Sequence, residues 1–343
     1  MKLNLISIFI LLLLTACSKK DDEMPSKSQI DFAYERLKFQ CVHESDALRK
    51  PTDDADILYK YALSLEKQKK EREKDYDQIA RFYRISAAHD HYKSATNLQN
   101  LLSSGRVKST DPRKETIDLV EKYISQNVPG AYYDMGHYLE IGYGVKKDTS
   151  SSRAYFRRAA DLGNPDAQYY IAELLNKVPN TADIMQSMYK CAMEQGHSMA
   201  GRRYASYASV TNAYEDAVTG YQLSTEGGDN VSARLLARGF EGPEPSDEFY
   251  YLALDKDKER VARYDKISDF LVRHEHLGAK IPDLDEIVPL PPTPLPEWDG
   301  TFKWQRDRDS SPPPAPPSDE LIQRMATEKN LDPKTGIPLP VSK

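Results

Sequence analysis

Alanine recurs along the middle of this chain at a nearly constant step. Ala95, Ala131, Ala167, Ala200 and Ala233 are separated by 36, 36, 33 and 33 residues, and Ala55 begins the series one longer step earlier. Tyr83, Tyr155 and Tyr221 stand twelve residues before an alanine of the series. Tyr59, Met135, Ile171 and Tyr204 stand four residues after one. A period in the middle thirties with small residues at fixed points predicts helix–turn–helix pairs stacked as a solenoid. Two antiparallel helices of about a dozen residues each consume such a period. Alanine lets the helix backbones approach, the aromatic fills the wedge between repeats, and a Gly or Asn takes the left-handed turn. No single repeat buries its apolar face, so stability comes from stacking neighbours.

Residues 130–148 contain Met135-Gly136 and the turn Gly142-Tyr143-Gly144-Val145, and residues 154–163 end on Ala159-Ala160-Asp161-Leu162-Gly163. Together they closely resemble a Sel1-like repeat. Residues 75–102, with Tyr83 and Ala87-Ala88, are a fair match, whereas residues 184–239 lack the Gly-x-Gly-Val turn. The resemblance covers about half the chain. It implies an all-α, tetratricopeptide-like superhelix acting as a protein-binding scaffold, and it names no partner.

The N-terminus reads as a secretory leader. Lys2 precedes an apolar run too short for a permanent span, which needs about 20 residues. Leu14-Thr15-Ala16-Cys17 resembles a bacterial lipobox. By that resemblance Cys17 is lipidated and anchors the mature chain. Ser18 in place of Asp favours the outer membrane over inner-membrane retention, with the protein facing the periplasm. The formal charge of -6 disfavours nucleic acid as a partner. Besides the lipidated Cys17 the mature chain has only Cys41 and Cys191, and two arrangements fit them: a disulfide in an oxidising compartment, or two buried thiols.

The expected organisation is a leader over 1–16, a tether over 17–30, the solenoid over 31–245, capping helices over 246–281 and a Pro-rich arm over 282–343. Ser246, followed by Asp247 and Glu248, suits a helix N-cap, with Gly278 at the far end of that helical stretch. Proline runs on both sides of residues 298–304 predict extended polyproline segments. Between them Asp299-Gly300 predicts a turn, and Phe302 and Trp304 share one face if the strand is extended. A helix is expected over 318–329 and a turn over 332–336. The arm resembles the C-terminal segment of an uncharacterised domain family found on Sel1-repeat lipoproteins, through residues 283–292, 298–300 and Asp332-Pro333. Two roles fit its aromatic residues: a strap that closes the C-terminal half of the solenoid, or a hot spot for a partner.

Candidate chemistry is thin. His89-Asp90-His91 and His274-Glu275-His276 lack metal-protease spacing and read as surface residues at helix ends. There is no P-loop, nucleophile elbow or dinucleotide fingerprint. No enzyme activity, metal or cofactor is expected. Asp134, Glu140 and Glu173 form a possible carboxylate set. With Ala131, Met135, Gly136 and Leu139 turned into the stack, Tyr133, His137 and Glu140 fall on the other face of their helix. Tyr169, Glu173 and Arg202 are their equivalents in the following repeats. By resemblance to helical solenoids this face is concave, and its Tyr, His, Glu and Arg mixture suits a protein ligand. Family analogy then favours an immunity protein neutralising a lipase-like toxin of type VI secretion in the periplasm. An envelope adaptor or signalling lipoprotein, and a cell-wall hydrolase, are the alternatives.

Overall fold

The computed structural model describes residues 34–68 and 71–340. The leader, Cys17 and the tether lie outside them. The described residues divide into two compact units. One contains residues 45–162 and 312–340, the other residues 34–44 and 163–311.

The first unit stacks α1 (Asp53–Gln68), α2 (Tyr76–Ala88), α3 (Tyr92–Ser103), α4 (Pro112–Ser125), α5 (Pro129–Ile141) and α6 (Thr149–Asp161). The second stacks α7 (Pro165–Leu175), α8 (Ala182–Glu194), α9 (Ser198–Val210), α10 (Tyr214–Glu226), α11 (Asn230–Gly239) and α12 (Lys258–His274). Three short helices follow: α13 (Leu284–Ile287), α14 (Lys303–Ser310) and α15 (Asp319–Glu328). Among the described residues no strand forms, and Leu331 and Pro338 make an isolated antiparallel bridge. No helix among them is long and apolar enough to cross a membrane.

The alanine series places the helices as expected. Ala55, Ala95, Ala131, Ala167, Ala200 and Ala233 are all fully buried, each within the first turn of its helix or just beyond it. Five turns ahead of these helices share one design. Asp90, Asn127, Gly163, Gly196 and Gly228 have φ between 58° and 107°. Each is followed by the N-cap: His91, Val128, Asn164, His197 and Asp229. Four of these caps accept a backbone N–H with the side chain; Val128 does not, and Pro129 at N1 needs no donor satisfied there. Gly136 permits a close helix approach in the first unit: a Cβ there would lie 2.6 Å from Cε1 of the fully buried Phe156.

The stretch after α11 departs from the sequence reading. No helix starts at Ser246. The Asp247 carboxylate instead accepts the amides of Phe249 and Tyr250, and Ala253 takes φ +53°. This local turn competes successfully with a helix start. Leu252 packs on Gly239, and Phe249 is left 86% exposed. The helix begins at Lys258, where Asp257 accepts the amides of Glu259 and Arg260.

In the second unit the Pro-rich segment is held by donors from the helices. The extended chain cannot satisfy its own carbonyls. Arg260 and Arg263, only 7% and 8% exposed, therefore donate to Pro289, Thr293 and Ile287. Gln222 donates to the Val288 carbonyl at 3.0 Å, and the Ile281 amide to Glu226. Phe302 is buried and stacks on Phe270 at 4.0 Å, while Trp298 and Trp304 are partly buried beside it. Residues 303–310 are helical rather than extended, so Phe302 caps α14 and Trp304 lies in its first turn. The strap reading of the tryptophans holds in this unit.

The end of the arm does something else. In the first unit α15 packs against α2, and Ile322, Met325 and Ala326 join the core of Ala55, Leu58, Ile79 and Tyr83. The His89 ring meets the Met325 carbonyl at 2.9 Å, and Arg84 donates to Thr335 O while pairing with Glu115 at 2.7 Å. The arm was expected to close only the C-terminal half. The four-residue spacing of Leu321 and Met325, and of Ile322 and Ala326, gives α15 an apolar face, and the first helices bury it.

Candidate functional site

The six residues expected to face a ligand fall three in each unit. In the first, Tyr133, His137 and Glu140 lie along α5. Tyr133 and His137 are half-buried, with their rings against Phe156 at 5.5 and 4.8 Å. They therefore pack helix against helix as well as facing outward. His137 Nδ1 and Glu140 lie 3.5 Å apart, and both side chains are about two-fifths exposed. Asp134 belongs to the packing, accepting from Tyr92 Oη at 2.9 Å and from Gln99.

In the second unit Glu173 receives the Tyr189 hydroxyl and pairs with Arg203 at 3.0 Å. Burial, then the bond to Glu173, holds the Tyr189 hydroxyl well above its ordinary range. Tyr169 stacks on His197 at 4.7 Å. Arg202 turns toward the buried N-cap Asp229, at 3.6 Å, which makes it a support for α11. Its neighbour Arg203 is the more exposed of the two and completes the Tyr169, Glu173 and Tyr189 surface. Arg202 keeps the repeat phase of Tyr169, but the buried Asp229 that draws its side chain away is invisible in the spacing.

One constellation missed from sequence has the wiring of a hydrolase triad. In the first unit Ser94 Oγ lies 3.1 Å from His91 Nδ1, and His91 Nε2 lies 3.5 Å from Asp56. Its chemistry is different. His91 Nδ1 already accepts the Ser94 amide as the N-cap of α3. Ser94 is fully buried and donates to Ser86, which donates to the Ala55 carbonyl. A nucleophile with no exposed surface reaches no substrate, so this network ties three helices together. Burial lowers the His91 pKa from its ordinary value of 6.5 despite the nearby Asp56. His197 repeats the cap in the second unit, with Nδ1 accepting the Ala200 amide and Nε2 3.4 Å from Asp166. His91 is thus a buried cap, not the surface residue the sequence suggested.

Cys41 and Cys191 form a disulfide across 150 residues of sequence, which decides between the two arrangements left open by the sequence. It pins the segment before residue 45 onto α7 and the end of α8, where Val42 O accepts from Gln168 of α7 and the Glu44 amide donates to Gln195. His43 lies beside the two sulfurs. The sulfurs are bonded to each other, so this cluster is a covalent clip rather than a thiolate metal site.

Comparison with known proteins agrees with this architecture. Residues 232–339 match the profile of a domain of unknown function, DUF6396. That match spans about the C-terminal third of the chain. Two solved immunity proteins from Pseudomonas aeruginosa, PA5088 and Pa5087, are similar at 26% and 27% identity. Each match covers 75% of this chain, and 95% and 96% of theirs, with TM-scores of 0.57 and 0.55. A Sel1 repeat protein from Oxalobacter formigenes is similar at 19% identity, over 64% of this chain and 88% of its own, with a TM-score of 0.47. No curated protein sequence matches the chain significantly.

Proposed function

We propose that this protein is an immunity protein, which neutralises a secreted bacterial toxin by binding it. The observation that carries the reading is the similarity to two immunity proteins across three-quarters of the chain. Such a span exceeds any single repeat and takes in most of the molecule. The surfaces described above are mixed Tyr, His, Glu and Arg patches on a rigid helical frame, which suits protein recognition.

The finer reading places the protein at the envelope. The lipobox-like Leu14-Thr15-Ala16-Cys17 supports a lipid anchor in the outer membrane, facing the periplasm. The Cys41–Cys191 disulfide supports an oxidising compartment. A lipid-cleaving toxin of type VI secretion attacks there, and an anchored inhibitor would intercept it.

The test is co-expression with any toxin-like gene found to be encoded beside this one, its product directed to the periplasm. Survival in the presence of the wild-type protein, with recovery of a complex, is the expected result. Cys17→Ala should move the protein from the detergent phase to the aqueous fraction. Glu140→Lys and Glu173→Lys should weaken protection while leaving helical circular dichroism intact. No protection and no complex with any neighbouring toxin would refute the immunity reading.

A further inference from the structure

The clip that joins Cys41 to Cys191 has a histidine beside it that a disulfide does not need. Among the described residues, the donor atoms of Cys41, His43 and Cys191 all lie within 4.8 Å of one another. Two elements of the second unit bring them there.

α8 carries Cys191 and, three residues on, Glu194, so both project from neighbouring positions on that helix. The non-helical stretch ahead of residue 44 carries Cys41 and His43, two residues apart. Its backbone is fixed on either side of His43. Val42 O accepts from Gln168 at 3.0 Å, and the Glu44 amide donates to Gln195 at 2.7 Å. A Cβ at Gly163 would lie 2.6 Å from the His43 carbonyl carbon, so the turn ahead of α7 presses on the same peptide. His43 Nε2 stands 3.6 Å from the Glu194 carboxylate, with both side chains about two-fifths exposed. A pair so open to water contributes little to stability.

The same groups have another chemistry once the sulfur–sulfur bond is opened. Two thiolates and a neutral imidazole are a ligand set for zinc, with water completing the tetrahedron. Metal-bound imidazoles are oriented by a carboxylate partner, and Glu194 stands beside the ring to supply one. The Cα atoms of Cys41 and Cys191 are 5.6 Å apart, a spacing at which both sulfurs can converge on one ion. Cys191 is 1% exposed and Cys41 is exposed, so reductant and ion both enter from the Cys41 side.

We propose that the clip has two forms: the Cys41–Cys191 disulfide and, after reduction, a zinc site of Cys41, Cys191 and His43 whose ring Glu194 orients. A dithiol reductant gives two electrons and two protons to the disulfide and is itself oxidised to a disulfide, leaving two thiols. Zinc(II) then displaces both thiol protons to solvent and binds the two thiolates and the imidazole. The segment of residues 41–44 thus stays on α7 and α8 in either form. This concerns the clip and stands independently of the immunity reading.

The test uses the mature chain with Cys17→Ser, reduced with a phosphine, desalted without oxygen, and titrated with cobalt(II) and then zinc(II). A single equivalent of cobalt should bind with thiolate charge-transfer bands and the intense visible bands of a tetrahedral centre, and zinc should displace it. The disulfide form should show neither. His43→Ala and Glu194→Gln, both at partly exposed positions, should each weaken zinc by about tenfold or more while leaving helical circular dichroism unchanged. Hydrogen exchange over residues 41–44 should quicken on reduction and slow again when zinc is added. A cobalt spectrum without tetrahedral bands, or the same spectrum from the disulfide form, would overturn the inference. So would His43→Ala binding zinc as tightly as the unsubstituted protein, which would mean an adventitious ion on two thiols only. Exchange that zinc leaves unchanged would refute its role as a clip.

Discussion

Truncating Phe302 to alanine tests whether the arm is part of the cooperative structure of the second unit. The ring is 5% exposed, stacks on Phe270 at 4.0 Å and meets Trp298 edge-on at 5.5 Å. Its neighbours Ile267, Leu271, Ile281 and Leu284 are buried in the same cluster. Removing a buried phenylalanine costs about 3–5 kcal/mol, from lost transfer energy and the void left behind. The low end applies here. Phe302 opens an 8-residue helix with no buried residue of its own, and Trp298 is only half-buried, so the site can relax. At about 3 kcal/mol the melting temperature falls by roughly 6–12 °C for a unit of this size. Guanidinium titrations followed by both tryptophan emission and far-UV circular dichroism make the test. Wild-type emission should be blue-shifted, and both midpoints should fall together in Phe302→Ala. Water-like emission in the wild type, or midpoints unaffected by the substitution, would refute the strap.

Three further outcomes are expected. Gly136→Ala should cost about 1–3 kcal/mol in denaturant titration, because the new methyl meets Phe156 at 2.6 Å and the ring is fully buried. Cys41→Ser with Cys191→Ser should lower stability by up to about 5 kcal/mol on the chain-entropy account of a 150-residue loop, and the wild type should show no thiol to a labelling reagent before reduction once Cys17 is replaced. His91→Asn should flatten the stability profile between about pH 7 and 5. The folded pKa of His91 lies below its unfolded 6.5, so the unfolded chain binds the proton first, and wild-type stability falls as pH drops through this window. Asn keeps a capping oxygen and removes the titration; an unchanged pH slope would mean that His91 is not the group responsible.

The alanine series was enough to fix helix pairing, because a backbone contact tolerates only a small residue and the demand recurs with each stacked pair. The left-handed turns were legible for the same local reason at Gly163, Gly196 and Gly228, and not at Asn127. The Asp299-Gly300 turn, the helix after Ser318 and the turn at 332–336 were also local, and sequence sufficed for them. The candidate face was half legible: helical phase placed Tyr133, His137, Tyr169 and Glu173 together on their helices, but it could not show that Phe156 packs beneath the first two or that Arg202 turns to Asp229. The rest depended on residues far apart in sequence. Cys41 meets Cys191 only because the early segment lies along α8. Arg260 and Arg263 look like surface residues of a helix until a proline segment without donors of its own covers them. Spacing determines which backbones can touch their neighbours; burial, and with it the strength of every charge, is decided by what arrives from elsewhere in the chain.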